Sequence, residues 1–216
     1  MRVIYSQLQF LYMSDKNFWE AFYSNKKGVL NPSPFATFLI ENYTINGSMV
    51  ELGCGNGRDS LYFAKQGIDV LGIDQCKNIV SELNGLALKN TEFKVADFTK
   101  LDNLGNFDTV YSRFTLHSVN KNQASDTMMW AFKYLKQGGK FCIEVRSVND
   151  NFCGEGKEVE TDAFVTDHYR RFIRLDEMVN ELKEIGFSIE YQIEATSLAK
   201  YKNEDPSVIR IVAIKK

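Results

Sequence analysis

Three acidic residues, Glu51, Asp74 and Asp97, each close a short apolar stretch, and the first is followed by glycines at every second position, Gly53, Gly55 and Gly57. Glycine at such spacing serves a backbone that turns through positive φ or approaches a ligand with no Cβ in between. The loop runs into a helix-like segment, 59–65, so the amides of a helix start face whatever binds there. A Gly-x-Gly-x-Gly pattern is weak by itself, because dinucleotide-binding loops use a close relative of it. Its neighbours narrow the chemistry. Glu51 would oppose a pyrophosphate but suits a cationic or amine-bearing ligand. Asp74, at the end of a second strand, is placed to accept both hydroxyls of a ribose. Asp97 and Phe98 after a third strand offer an acceptor and an aromatic face suited to an adenine. In an open parallel sheet these strand ends share one edge, and that edge is the ligand crevice.

A second group follows the fourth apolar stretch, in the segment 108–117. His117, one of two histidines in the chain, is the best base on offer there. It reads equally as a packed ring bonded to the backbone. Arginines gather along the same side of the chain: Arg113, Arg146, and Arg170, Arg171 and Arg174 in the run 168–174. Arginine suits bidentate capture of phosphate or carboxylate. In an acidic chain the cluster points to an anionic small molecule, with Arg146 and Arg171 directed inward; the alternative pairs the arginines with Asp150, Glu158, Glu160, Asp162 and Asp167 at the surface.

The elements that position these residues alternate. Ser14 opens an aromatic helix through Trp19 and Tyr23, and Ser33-Pro34 caps a helix to Asn42. Then come strand 48–52, helix 58–66, strand 69–73, helix 77–88, strands 92–96 and 107–111, helix 121–136 closed by Gly138-Gly139, and strand 140–146. This is the rhythm of a parallel sheet. Residues 147–167 show no period and read as a functional loop. Helix 175–185 and strands 187–194 and 207–214 close the pattern.

With its run GCGNGRDSLYFA, its three strand-end acids and its closing pair of strands, the chain resembles class I S-adenosylmethionine-dependent methyltransferases over about residues 35–216, and is similar to their small-molecule, tellurite and thiopurine-type members. The resemblance implies an α/β, doubly wound, mostly parallel seven-stranded sheet with an antiparallel last strand and an N-terminal helical lid. It divides one domain into a lid (1–46), a cofactor-binding core (47–146), a substrate loop (147–174) and a C-terminal helix and strand pair (175–216). It places S-adenosyl-L-methionine against Trp19, Glu51, Gly53, Gly55, Gly57, Arg58, Asp74, Gln75, Asp97, Phe98 and Ser112. The acceptor falls to Tyr23, Arg113, Arg146, Arg170 and Arg171, with His117 as the catalytic candidate and no metal. Trp19 or Tyr23 would meet the sulfonium through a cation–π contact, and Arg58 the methionine carboxylate or local carbonyls. The segment 108–117 carries no Asn/Asp-Pro-Pro-Tyr motif, against methylation of a base amine or a protein glutamine. The stretches 33–36, 144–150 and 203–210 are similar to methyltransferases of bacterial capsular and cell-surface polysaccharide gene sets, some of which modify a phosphorylated amine or a sugar.

Composition sets the outer bounds. At 216 residues, 44% hydrophobic, the chain fills one domain. A net charge of −2 supplies no field for nucleic acid or an anionic membrane. No apolar run approaches the roughly 20 residues of a membrane span, and the first residues lack a cleavage pattern. The four cysteines, without a CxxC pair, read as thiols of a cytoplasmic protein, monomeric or homodimeric. The expected reaction is methyl transfer to an O or N atom of a small anionic metabolite, a phosphorylated one foremost. A cofactor-binding regulatory protein without turnover and a nicotinamide oxidoreductase are the alternatives.

Overall fold

A computed structural model of the chain describes residues 18–21 and 31–216. Its strands are β1 (Ser48–Leu52), β2 (Asp69–Asp74), β3 (Thr91–Val95), β4 (Phe107–Arg113), β5 (Leu135–Arg146), β6 (Lys157–Glu160), β7 (Ala163–Val165), β8 (Tyr169–Arg171), β9 (Phe187–Ala195) and β10 (Val208–Lys215). Seven of them form one sheet in the order β3-β2-β1-β4-β5-β10-β9. The central strands run parallel, while β10 is antiparallel to both β5 and β9. The expected seven-stranded sheet with an inserted antiparallel strand is the observed one.

Among residues 31–216, five helices cover the sheet: α1 (Pro34–Asn42), α2 (Arg58–Lys65), α3 (Lys77–Gly85), α4 (Lys121–Tyr134) and α5 (Leu175–Ile185). Their ends obey local chemistry. The Ser33 hydroxyl accepts the Ala36 N–H with Pro34 at the first helical position, Asn120 and Gln123 form a reciprocal capping box, and Gly186 closes α5 at φ 118°. The period of two along β1 sends Val50 and Leu52 to one face, into a core with α4 and α5. Met49 goes to the other, into a core of Phe35, Leu39, Phe63 and Tyr111 beneath α1 and α2. Edge strand β3 is protected, since the Asn84 amide donates to the Phe93 carbonyl at 2.9 Å and accepts the Phe93 N–H at 3.2 Å.

Several boundaries differ from the sequence reading. Helix α4 ends at Tyr134, before the glycine pair; Leu135 already pairs with Phe107, the register shifts, and pairing resumes at Lys140 opposite Thr109. Helix α3 stops at Gly85, three residues early, and Ala87 follows at φ 47°. The largest difference is the segment read as a loop. Strands β6 and β7 lie within it and, with β8 just beyond it, form a separate antiparallel three-stranded sheet. Strands of three or four residues are too short for alternation to show in sequence. Residues 18–21 are helical, within the expected N-terminal helix; Ser14 and Tyr23 lie outside the described residues.

Candidate functional site

The glycine loop joins β1 to α2 with Gly53, Gly55 and Gly57 at φ 68°, 52° and 73°. A Cβ on Gly53 would collide with the Thr115 methyl and come within 4.0 Å of the Phe98 ring, and one on Gly57 would stand 2.7 Å from Leu83 Cδ2. Both the angle and the packing therefore require glycine. The Gly55 N–H donates to Asp74 Oδ2 at 2.9 Å and the Cys76 N–H to Oδ1 at 2.8 Å, so the acid ending β2 is clamped against the loop. A carboxylate oxygen accepts more than one such bond, which leaves Asp74 capacity for ligand hydroxyls. Gln75 beside it is half-buried. Asp97 caps the 3-10 turn Phe98–Lys100, accepting the Thr99 N–H at 3.0 Å and its hydroxyl at 2.7 Å. That turn brings Phe98 toward the loop.

Glu51 is buried at the end of β1, opposite Tyr111 of β4, and accepts the Ser60 hydroxyl. Burial, followed by the neighbouring Asp59 carboxylate, pushes its carboxyl up to about 8, against the Ser60 bond and the charges of Arg58 and Arg113. A ligand cation would favour its ionised form. Arg58 lies with Nε 3.6 Å from Asp59 Oδ1.

Asp59, beside Arg58 just past the glycines, was not among the expected site residues. It is 3% exposed and accepts the Ser33 N–H and hydroxyl, both at 2.7 Å, and the Tyr111 hydroxyl at 2.9 Å. One side chain thus joins the start of α1, the start of α2 and the middle of β4. The signal was an acid directly behind Gly-Asn-Gly-Arg, but its donors lie 26 and 52 residues away.

Across the crevice, Ser112 is fully buried and hydrogen-bonded to the Thr115 hydroxyl. Phe114 sits at φ 57°, a strained angle for a bulky residue, where the chain leaves β4. Three of the pairs named by the alternative reading are present, Arg146 with Asp150, Arg170 with Asp167 and Arg174 with Asp162, whereas Arg113 has a partner that neither reading named. Arg113 and Arg210 each donate Nε to the fully buried Glu144 at 2.7 Å, one to each carboxylate oxygen. Glu144 was not among the expected site residues. Arg146 is 8% exposed, donates to Asp150 at 2.9 Å and Glu204 at 3.1 Å, and lies 5.7 Å and 5.2 Å from the Phe114 and Phe152 ring centres. Arg170 donates to the Thr166 hydroxyl at 2.9 Å and lies 3.4 Å from Asp167. Arg171 takes the Val119 and Leu116 carbonyls at 3.3 Å and 3.2 Å, binding β8 to the turn after β4.

His117 sits among these cations, buried, with Nδ1 accepting the Arg146 N–H at 3.2 Å. In the neutral ring the proton then belongs to Nε2. Burial first, then Arg146, His168, Arg170 and Arg171, hold the ring well below the ordinary histidine range. The side chain expected as a base is held as a neutral donor, the backbone-bonded form of the two readings. His168 stacks on Phe18 at 4.4 Å and meets Trp19 edge-on at 5.1 Å. Its Nδ1 lies 2.9 Å from Asp167 Oδ1 in an orientation that makes no hydrogen bond. Trp19 also packs against the cluster of Cys54, Cys76, Leu83 and Phe93. The helical residues 18–21 therefore reach from the glycine-loop side of the crevice to the small sheet. Among the described residues no group of His, Cys, Asp and Glu is arranged to hold a metal, and no helix is long and apolar enough to cross a membrane.

Residues 49–139 match the family model of a methyltransferase domain. A 2-heptyl-1-hydroxyquinolin-4(1H)-one methyltransferase of Mycobacteroides abscessus is 33% identical over 95 residues, 41% of this chain and 41% of that protein. The chain thus spans about two fifths of the curated relative it matches. Among solved structures, a 1,6-didemethyltoxoflavin-N1-methyltransferase of Burkholderia thailandensis, with 1,6-didemethyltoxoflavin and S-adenosylhomocysteine bound, gives a TM-score of 0.67 at 17% identity over 85% of this chain and 77% of that one. A SAM-dependent methyltransferase of Methanosarcina mazei gives 0.72 at 21% identity, over 86% of this chain and 99% of that one. These structures share the fold.

Proposed function

We propose that this chain, which carries a methyltransferase domain over residues 49–139 in the corresponding seven-stranded fold, transfers a methyl group from S-adenosyl-L-methionine to a small molecule. The observation that carries the reading is the glycine loop between two buried acids, with the Gly55 N–H donated to Asp74 at 2.9 Å and Glu51 at the loop's origin. The residues fit the cofactor. The loop offers bare backbone, Asp74 spare acceptor capacity for ribose hydroxyls, Phe98 and Asp97 an adenine site, and Glu51 a partner for the ammonium group. When bound, the cofactor supplies a methyl already activated on a sulfonium. The chain then has to align the acceptor and exclude water, and alignment of that kind is worth roughly 7–11 kcal/mol.

The acceptor is a small anion. Arg171 donates to carbonyl oxygens and feels the carboxylates of Glu181, Glu160 and Glu177, Arg146 meets Asp150 and Glu204, and Arg170 meets Asp167; the guanidinium groups gathered here suit an anion. With Nδ1 taken up by the Arg146 N–H, His117 offers the acceptor no base, and transfer proceeds without one from this ring. The receiving O or N atom must therefore arrive with its lone pair available, as the oxygen of a phosphorylated metabolite does. The phosphorylated acceptor, and a place in bacterial surface polysaccharide modification, rest further on the stretches 33–36, 144–150 and 203–210. A cytoplasmic location rests on four cysteines that are all thiols.

Methyl transfer from labelled cofactor into fractionated metabolite pools, with and without phosphatase treatment, tests the reading. Label in an anionic fraction that phosphatase removes is the expected result. Binding of S-adenosylhomocysteine without any transfer would favour a regulatory protein, and preference for NAD in a thermal-shift comparison would overturn the cofactor.

A further inference from the structure

Glu51 and Asp59 lie on adjoining elements, the end of β1 and the first turn of α2, and both are buried, at 5% and 3% exposure. Their hydrogen bonding is unequal. Among the described residues Asp59 accepts three bonds, two from Ser33 and one from Tyr111, whereas Glu51 accepts the Ser60 hydroxyl alone. Two buried carboxylates that influence one another do not readily ionise together. The charges facing Glu51 are Asp59 and Arg58 of α2 and Arg113 of β4, with the neutral Tyr111 of β4 and Cys54 of the loop beside them. Arg58 lies 3.6 Å from Asp59, and Arg113 donates to Glu144 at 2.7 Å, so both cations are already engaged.

We propose that Glu51 and Asp59 hold one negative charge between them while the crevice is empty, and that the α-ammonium group of the donor, on binding, drives the remaining proton from Glu51 into solvent. The inference rests on the cofactor assignment above and adds a linkage to it. In balance, a neutral carboxylic acid meets an ammonium ion, the O–H bond breaks, the electron pair stays on the carboxylate that pairs with the cation, and one proton leaves to buffer. Burial and Asp59 together hold the Glu51 carboxyl at about 8, which places the empty site on the protonated side at neutral pH.

Calorimetry of the full chain with S-adenosylhomocysteine, in buffers of different ionisation enthalpy at pH 7, counts the protons released. This compound keeps the ammonium and lacks the sulfonium. The expected result is release of close to one proton, with affinity rising up to tenfold per pH unit from pH 6 to 7.5. Glu51→Gln should bind with no release and a flat pH dependence. Should that variant not bind, the wild-type pH dependence and proton count still decide. Binding by the wild type without proton release overturns the proposal while leaving the cofactor assignment intact. Release seen with S-adenosylmethionine but not with S-adenosylhomocysteine also overturns it, because the sulfonium would be the trigger. Absence of binding to either compound defeats the cofactor reading instead.

Discussion

His117 accepts the main-chain N–H of Arg146 through Nδ1 at 3.2 Å, which ties the turn after β4 to the end of β5 and fixes the ring proton on Nε2. The ring's affinity for a second proton is lowered first by burial and then by Arg146, His168, Arg170 and Arg171. It therefore stays neutral across the physiological range, and the pH profile of kcat should show no rising limb between pH 5.5 and 7.5. His117→Asn, which can still accept the Arg146 N–H, should lose less than about tenfold in kcat. His117→Phe strands that N–H and should cost about 1–3 kcal/mol of stability. A loss of three orders of magnitude in kcat for the Asn variant, at unchanged stability, would restore the base.

The Asp59 hub should behave as a unit in denaturant titrations. Tyr111→Phe removes one donor and should cost about 1 kcal/mol, while Asp59→Ala leaves Ser33 and Tyr111 donors buried and unpaired and should cost about 3 kcal/mol or more. In a double-mutant cycle the two should couple by at least 0.5 kcal/mol. Additive effects would mean that the hydroxyl finds another partner.

Gly53 combines a left-handed φ of 68° with a Cβ position occupied by the Thr115 methyl. Gly53→Ala should weaken S-adenosylhomocysteine binding at least tenfold and lower stability by about 1–3 kcal/mol. Adding Thr115→Ser removes the colliding methyl and keeps the hydroxyl bonded to Ser112, so it should recover part of the stability and little of the binding. Thermal shift and calorimetry read the two separately.

Among the arginines, Arg146→Ala and Arg171→Ala should raise the acceptor KM at least tenfold and the cofactor KM by less than threefold. Equal effects on both would argue against an anion pocket. Arg210→Met is the control, since it leaves Glu144 with one of its two cations and should cost stability, about 3–5 kcal/mol, without that selective change in KM.

Stability should depend on pH from both sides. Glu51 is raised from 4.5 to about 8 in the folded chain, so its contribution is complete below pH 4.5 and is lost as pH rises through 8. His168 is lowered from 6.5 to about 4, chiefly by burial and then Arg170, so its contribution is present above pH 6.5 and is lost as pH falls through 4. Urea titrations from pH 4 to 9 should show a plateau where the two windows overlap, about pH 4.5 to 6.5, with stability falling off on either side. Glu51→Gln should flatten the alkaline side, and His168→Phe, which preserves the stack on Phe18, the acid side.

The sequence by itself determined the layered sheet, the glycine loop and its flanking acids, because each is written in local chemistry: apolar runs of period two, caps such as Ser33-Pro34, and glycines where only glycine can turn. Contacts over long separations were decided by the tertiary structure. Nothing around Asp59 announces that its donors come from Ser33 and Tyr111, and an acid inside β5 gives no sign that Glu144 will hold Arg113 and Arg210 together. The same holds for the small sheet between 157 and 171, whose short strands carry no period. His117 shows the division most directly. Residue type made it a candidate base, and the fold, by setting one main-chain N–H against Nδ1 inside a cationic shell, made it a donor.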